Sequence, residues 1–236
     1  MIEVFAVNIK KGISTNIFNV LVRFISNEKK EKIINLHRYE DAQQVLISDI
    51  LVRYLIGAKL NKKNKELRFN NNYFGKPFLC DYSCIHFNLS HSREWIVCAL
   101  GPVPVGIDIE FIRPIDFDLA KMFFSEYDYK NLMKKKGLEK LKFFYDLWTI
   151  KESYVKAKGM GMTIPFNSFS IIISKYGKII CFSDYDTTHN RYNFKQYNIS
   201  EEYKLCVCCQ GDTFLDYIHF IQPDDLCDNF IKYNMD

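Results

Sequence analysis

The chain has 236 residues, 48% of them hydrophobic and 25% charged, with a formal charge of +4. That length and apolar share support one large domain or two small ones, each with its own core. The charged share is ordinary for a soluble globular protein; no apolar run is long enough to cross a bilayer, and the lysines are too interleaved with acids for the basic stripe of a nucleic-acid protein.

The opening M-I-E-V-F-A-V reads as a strand over 2–9 and not as a secretory signal, because a basic segment and a cleavage site are missing. A cytoplasmic protein is therefore expected. Ser26 ahead of a polar turn is a helix-start signal. A long helix is predicted over 40–56, with Ala42, Val45, Leu46, Ile50 and Leu55 at helical spacing and Gly57 at its end. Strands are predicted over 66–70, 85–89 and 95–100, with the polar S-H-S-R-E of 90–94 as the turn between the last two. Gly101-Pro-Val-Pro104 punctuates the middle of the chain. A strand over 105–110, helices over 119–135 and 139–158, and strands over 169–174, 177–182, 191–199 and 203–210 follow. Each half runs through helices into a group of strands. The pattern predicts an α+β chain of two subdomains, 1–104 and 105–236, with the cleft between them as the natural ligand site.

Cysteine gives no metal or disulfide framework. Cys206, Cys208 and Cys209 lie in the strand-like Y-K-L-C-V-C-C, where cysteine serves as a small hydrophobe. The C-x-x-C spacing of Cys206 and Cys209 puts the two side chains on opposite faces of a strand, and no second pair accompanies them.

Three segments carry candidate chemistry. In G-I-D-I-E, residues 106–110, Asp108 and Glu110 share one face of a strand while Val105, Ile107 and Ile109 share the buried one. Adjacent carboxylates repel and favour a cation between them, and oxygen ligands beside phosphates suit Mg²⁺; a solvated acidic strand edge is the plainer alternative. In the helix of 139–158 the apolar stripe runs through Leu141, Tyr145, Trp148 and Val155. Glu152 falls roughly 20° from Tyr145 and roughly 40° from Trp148 on the helical wheel. An acid inside a packing stripe needs a cation or donor, either a metal or Lys156 one turn on. Third, F-N-L-S-H-S at 87–92 offers Asn88 as an orienting group and Ser90 and His91 as polar ligand contacts; without a G-x-S-x-G elbow it does not read as a serine hydrolase.

Taken together, G-I-D-I-E followed about forty residues later by W-T-I-K-E-S-Y-V-K resembles the paired signature of the Sfp-type 4′-phosphopantetheinyl transferases. Y-F-G-K-P-F and F-N-L-S-H-S match two further blocks in order, and the likeness extends into F-I-S-N-E-K-K-E-K and E-D-A-Q-Q-V-L-I-S-D-I-L-V-R. The resemblance implies two similar α+β halves related by a pseudo-twofold axis, with coenzyme A between them. It implies transfer of the phosphopantetheine arm of coenzyme A to a serine of apo acyl or peptidyl carrier proteins of fatty-acid, polyketide or nonribosomal-peptide synthesis, by a monomer. Mg²⁺, or Mn²⁺ in its place, would be held by Asp108, Glu110 and Glu152; Glu152 would act as general base and Lys156 would serve the leaving phosphate. Lys29 and Lys32, with Ser90 and His91, would meet the 3′-phosphate, and Lys76 would lie near the adenine. Val45 departs from the pattern, standing where relatives can carry a small hydroxyl residue. Glu126 or Asp128 is a further candidate near the metal. Residues 112–130, with Ile112, Phe117, Met122, Phe123 and Phe124, are expected to form part of the carrier-docking surface, against the alternative of ordinary helix core. Two rival functions fit the same acids and lysines: a metal-dependent nucleotide phosphohydrolase, and a non-catalytic carrier-binding module.

Overall fold

The computed structural model describes residues 1–183 and 192–235. In chain order its elements are β1 (Ile2–Asn8), α1 (Thr15–Leu21), α2 (Asn27–Ile34), α3 (Tyr39–Leu60), β2 (Phe69–Asn71), β3 (Pro77–Leu79), β4 (His86–Ser92), β5 (Trp95–Gly101) and β6 (Val105–Phe111). Then come α4 (Asp118–Phe123), α5 (Glu126–Met133), α6 (Gly137–Lys158), β7 (Phe169–Ile173), β8 (Ile179–Ser183), β9 (Tyr192–Tyr197), β10 (Tyr203–Gln210), β11 (Phe214–Ile221) and α7 (Pro223–Met235). The α+β class stands.

The two halves repeat one order of elements. A strand (β1 or β6) precedes a 22-residue helix (α3 or α6), a two-stranded hairpin (β2–β3 or β7–β8) and a final pair of strands (β4–β5 or β9–β10). The sheets agree as well: β1-β5-β4 in the first half and β6-β10-β9 in the second, with β11 added beside β1. Amphipathic strands bury one face of each sheet against the other, through Val4, Ala6, Val97, Ile107, Ile109 and Val207 among others. The outer faces are covered by the long helices, α3 over the first sheet and α6 over the second.

Several sequence expectations shift. The first long helix does not stop at Gly57; it runs to Leu60 and ends at Asn61 in the left-handed conformation, φ 53°. The expected helix of 119–135 is two helices, because Phe124 turns extended and Ser125 caps α5 by accepting from the Asp128 amide. The strand predicted over 66–70 begins only at Phe69, after a single 3₁₀ turn. Ser90, His91 and Ser92 extend β4 instead of forming a turn, which falls at Arg93, φ 50°. Arg191, the start of the strand expected over 191–199, lies outside the described residues. Helix α1, strands β3 and β11 and helix α7 lie where the sequence pattern predicts no element. Strand β11 pairs parallel with β1, and Leu226, Cys227 and Phe230 of α7 enter the first half's core, so the chain's last two elements fold back across the division at residue 104. Cys206 and Cys209 do face opposite cores.

Candidate active site

The site is built where β6, β4 and α6 meet. Gly106 explains how close they come: a Cβ there would lie 2.0 Å from the Ser153 carbonyl oxygen and 2.4 Å from the Ala157 amide nitrogen. The missing side chain lets the α6 backbone settle onto β6. Gly106, Asp108 and Glu110 share the face beneath α6, while Val105, Ile107 and Ile109 point into the core between the sheets. The acidic face is thus covered by a helix, not left as a solvated edge; Asp108 is only 3% exposed.

Asp108 Oδ1 accepts from Lys156 Nζ at 2.6 Å and from the Ser90 hydroxyl at 2.9 Å. Its Oδ2 is buried with no hydrogen-bond partner. Lys156 Nζ donates also to Ser90 Oγ and to the Ile107 carbonyl, each at 3.2 Å. The salt bridge that the helix spacing suggested for Lys156 is made to Asp108, across the elements. Burial raises the carboxyl pKa of Asp108, against the downward pull of Lys156 and Ser90. Burial, then the charge of Asp108, lifts Glu110 to about 7, with Glu152 adding to the effect. Glu152 is raised by burial and by Asp108. Three acids that feel one another in a half-buried place are a standing electrostatic demand for positive charge.

Glu152 and Lys156 also line a cavity of about 610 Å³ whose walls include Phe74, Phe123, Trp148, Ile164 and Phe166. The β2–β3 hairpin forms one rim and is pinned to α6: Lys76 Nζ donates to the carbonyls of Val105 (2.9 Å), Lys156 (2.6 Å) and Ala157 (3.3 Å), and Asn72 Nδ2 to that of Gly159 (2.7 Å). The bonds to Lys156, Ala157 and Gly159 satisfy carbonyls that the end of α6 leaves open, and the bond to Val105 ties the hairpin to β6 as well. Burial lowers the Lys76 ammonium pKa to about 8. Its charge is spent on main-chain carbonyls inside the protein.

The expected 3′-phosphate group divides. His91 alternates with Ser90 along β4 and faces the other way; burial lowers its pKa first, and the charges of Lys156 and Lys32 add to this. Lys29 pairs with buried Asp49, which also accepts from Arg53 Nε at 2.7 Å. Ser90 instead belongs with Asp108 and Lys156. Neither further acid joins the site: Glu126 pairs with Lys130 at the surface, and Asp128 holds Lys151 at 2.7 Å and accepts from the Ile171 amide at 2.9 Å. Of the apolar residues of 112–130, Met122 is 69% and Phe123 40% exposed, but Phe124 is core at 3% and Ile112 and Phe117 pack against that core.

Sequence reasoning missed Gly106 as a contact point, Ser92, and the pair Lys151–Asp128. The alternation N-x-S-x-S in β4 was the available signal for Ser92. Lys151 was legible only as part of the K-E-S motif.

The fold and the site together define a two-lobed α+β protein whose acids and lysine meet on the seam between its lobes. Residues 104–208 match the family model of the 4′-phosphopantetheinyl transferase superfamily, and residues 13–102 match that of the 4′-phosphopantetheinyl transferase N-terminal region. The chain is 33% identical over 224 residues to 4′-phosphopantetheinyl transferase Sfp of Bacillus subtilis, covering 95% of this chain and 99% of that one. It is 37% identical over 233 residues to the transferase gsp of Aneurinibacillus migulanus, covering 98% and 96%. A solved holo-(acyl-carrier-protein) synthase of Bacillus anthracis in complex with CoA (3′,5′-ADP) aligns with 47% of this chain and 97% of its own, at 24% identity and a TM-score of 0.40. The chain belongs to the 4′-phosphopantetheinyl transferase superfamily.

Proposed function

We propose that this protein transfers the 4′-phosphopantetheine group of coenzyme A to a serine hydroxyl of apo carrier proteins, releasing 3′,5′-ADP, with a divalent cation at Asp108, Glu110 and Glu152. The observation that carries the reading is the buried, unpartnered Oδ2 of Asp108, beside two acids whose pKa values are pushed up, in a member of this family. A buried carboxylate oxygen without a donor costs free energy unless something positive meets it. Among the described residues no three carboxylate, imidazole or thiolate groups form a ready-made cage. Such a cage is not needed: Mg²⁺ is commonly held by one or two carboxylates, with waters and substrate phosphates completing its shell. Mn²⁺ takes the same oxygen ligands.

When bound, the cation neutralises the pyrophosphate and the charge that grows on the departing 3′,5′-ADP. Lys156, which already pairs with Asp108, would meet the leaving phosphate oxygen as a compact charge or give it a proton. Glu152, on α6 beside the β6 acids, would take the proton of the carrier serine, directly or through water. Lys29, Lys32 and His91 would receive the 3′-phosphate, and Lys29 would have to exchange Asp49 for it. The apolar cavity beside Glu152 suits the neutral pantetheine arm. Exposed Met122 and Phe123 at its rim would meet the carrier, whose negative charge the mildly basic chain would attract.

No helix among the described residues is long and apolar enough to cross a membrane; a cytoplasmic site of action would follow from the coenzyme A chemistry proposed here. The decisive test incubates the protein with coenzyme A, Mg²⁺ and several apo carriers and reads phosphopantetheine on the serine by mass spectrometry. Transfer is expected, and Glu152→Gln should abolish it in a folded protein. Coenzyme A hydrolysis without a carrier adduct would favour a phosphohydrolase, and neither reaction would leave a binding module.

A further inference from the structure

The two sheets meet along two seams that the repeated topology makes equivalent. At one, β9 would face β1, but β11 fills the gap: it pairs with β1, and Tyr197 and Lys195 of β9 donate to its Leu215 carbonyl. At the other, nothing is inserted between β4 and β6. Among the described residues, β4 has a main-chain ladder only to β5, and β6 only to β10. The amides of β6 still find acceptors, in side chains of β4. Ile107 N–H donates to Asn88 Oδ1 at 2.8 Å, Ile109 N–H to Ser90 Oγ at 3.4 Å, and Phe111 N–H to Ser92 Oγ at 3.0 Å.

A serine hydroxyl used in this way differs from the carbonyl of an ordinary ladder, because it still has a proton to give. Both serines give it to the acid just before the amide they accept. Ser90 donates to Asp108 Oδ1 at 2.9 Å, and Ser92 to Glu110 Oε2 at a longer 3.5 Å. Asn88, whose Oδ1 has no proton to give, stands opposite Gly106, where there is no acid. The same unit thus occurs twice, two residues apart on each strand.

We propose that Ser90 and Ser92 are positioning residues, each fixing one β6 acid so that Asp108 Oδ2 and the second oxygen of Glu110 are the atoms left to the cation. The inference rests on the cation site proposed above and adds the device that orients it. Groups bonded to metal ligands from behind typically set affinity by about 10- to 100-fold. Ser92 is the cleaner probe, since Ser90 also receives Lys156.

The experiment titrates Mn²⁺ into the protein with coenzyme A and no carrier, reading free Mn²⁺ by electron paramagnetic resonance. Ser92→Thr and Ser92→Val are compared; both are β-branched and of similar size, and only the first keeps a hydroxyl. Ser92→Thr should bind like the parent, and Ser92→Val about 10-fold more weakly or worse, with carrier KM unchanged. Should valine crowd the seam and prevent folding, Ser92→Ala makes the same comparison without added bulk. Equal Mn²⁺ binding by the threonine and hydroxyl-free variants overturns the proposal, as does a loss of thermal stability without a loss of affinity. If the parent itself binds no Mn²⁺, the cation site fails and this inference with it; if only the variants are indifferent, the cation site survives.

Discussion

Gly106→Ala is the smallest change that tests how the site is assembled. The added methyl would sit 2.0 Å from the Ser153 oxygen, 2.4 Å from the Ala157 nitrogen and 2.9 Å from the Lys156 carbonyl carbon, whereas ordinary contact begins at 3.4 Å. All three atoms are α6 backbone, which cannot swing aside as a side-chain tip can. The helix must lift by about an ångström, and overpacking of this kind costs on the order of 1–3 kcal/mol. The functional cost is expected to be larger than the loss of stability implies, because Glu152 and Lys156 ride on the displaced helix. The 2.6 Å Lys156–Asp108 bond would stretch beyond hydrogen-bond range. A misplacement of about 1 Å in a reacting constellation typically costs about 100-fold. The assay is kcat/KM for carrier modification, measured well below the unfolding midpoint of each variant. Leu226→Val, a core change in α7 far from the seam, serves as the comparison for a similar loss of stability. Parental turnover in Gly106→Ala, or a loss of activity no greater than that of Leu226→Val at matched stability, would rule out this role for the close approach of α6 to β6.

Glu110 yields a pH prediction. Its pKa is about 7 in the folded protein against 4.5 for the free side chain, so the acid takes up a proton on folding. Its contribution to stability is intact below about 4.5 and is withdrawn as pH rises through about 7. Urea unfolding in EDTA should show this decline, Glu110→Gln should flatten it, and Mg²⁺ should stabilise the parent increasingly toward high pH. Lys151→Met leaves Asp128 buried and unpaired and should cost about 3–5 kcal/mol in urea unfolding, with turnover per folded molecule little changed. Met122→Ala should raise the carrier KM severalfold and leave the coenzyme A KM alone; unchanged carrier kinetics would remove the exposed end of α4 from the docking surface.

Elements governed by their own periodicity were legible. The 22-residue α6 follows from its apolar stripe and the glycine after it, and β1, β5, β6 and β10 follow from alternation or short apolar runs. What escaped depends on a partner distant in sequence. Ser90 and Ser92 are polar because they face another strand's amides and acids, and polarity alone reads as a turn. Strand β11 lies more than 200 residues from β1, and α7 gains its meaning only from the core of the first half. Phe124 is apolar in a helical pattern, yet it ends α4 because its ring is needed against Phe144 and Trp148.

The site was legible in proportion to how far each residue violates its local rule. Glu152 stands in an apolar stripe, and that conflict calls for a cation, either a metal or Lys156 one turn on; the structure gives Lys156 to Asp108. Asp108 obeys alternation and looks solvated, so its burial could not be read from β6 alone; it follows from Gly106, whose missing Cβ brings α6 down over the acidic face. The glycine and the acids are therefore one device. A larger residue at 106 would lift α6 and loosen the cover over Asp108 and Glu110, so that their pKa values would relax toward ordinary carboxylates and their pull on a cation would weaken. The close approach of helix to strand converts two common surface acids into a centre that calls for positive charge, and Lys156, carried on the same helix, meets part of that demand before any ligand arrives.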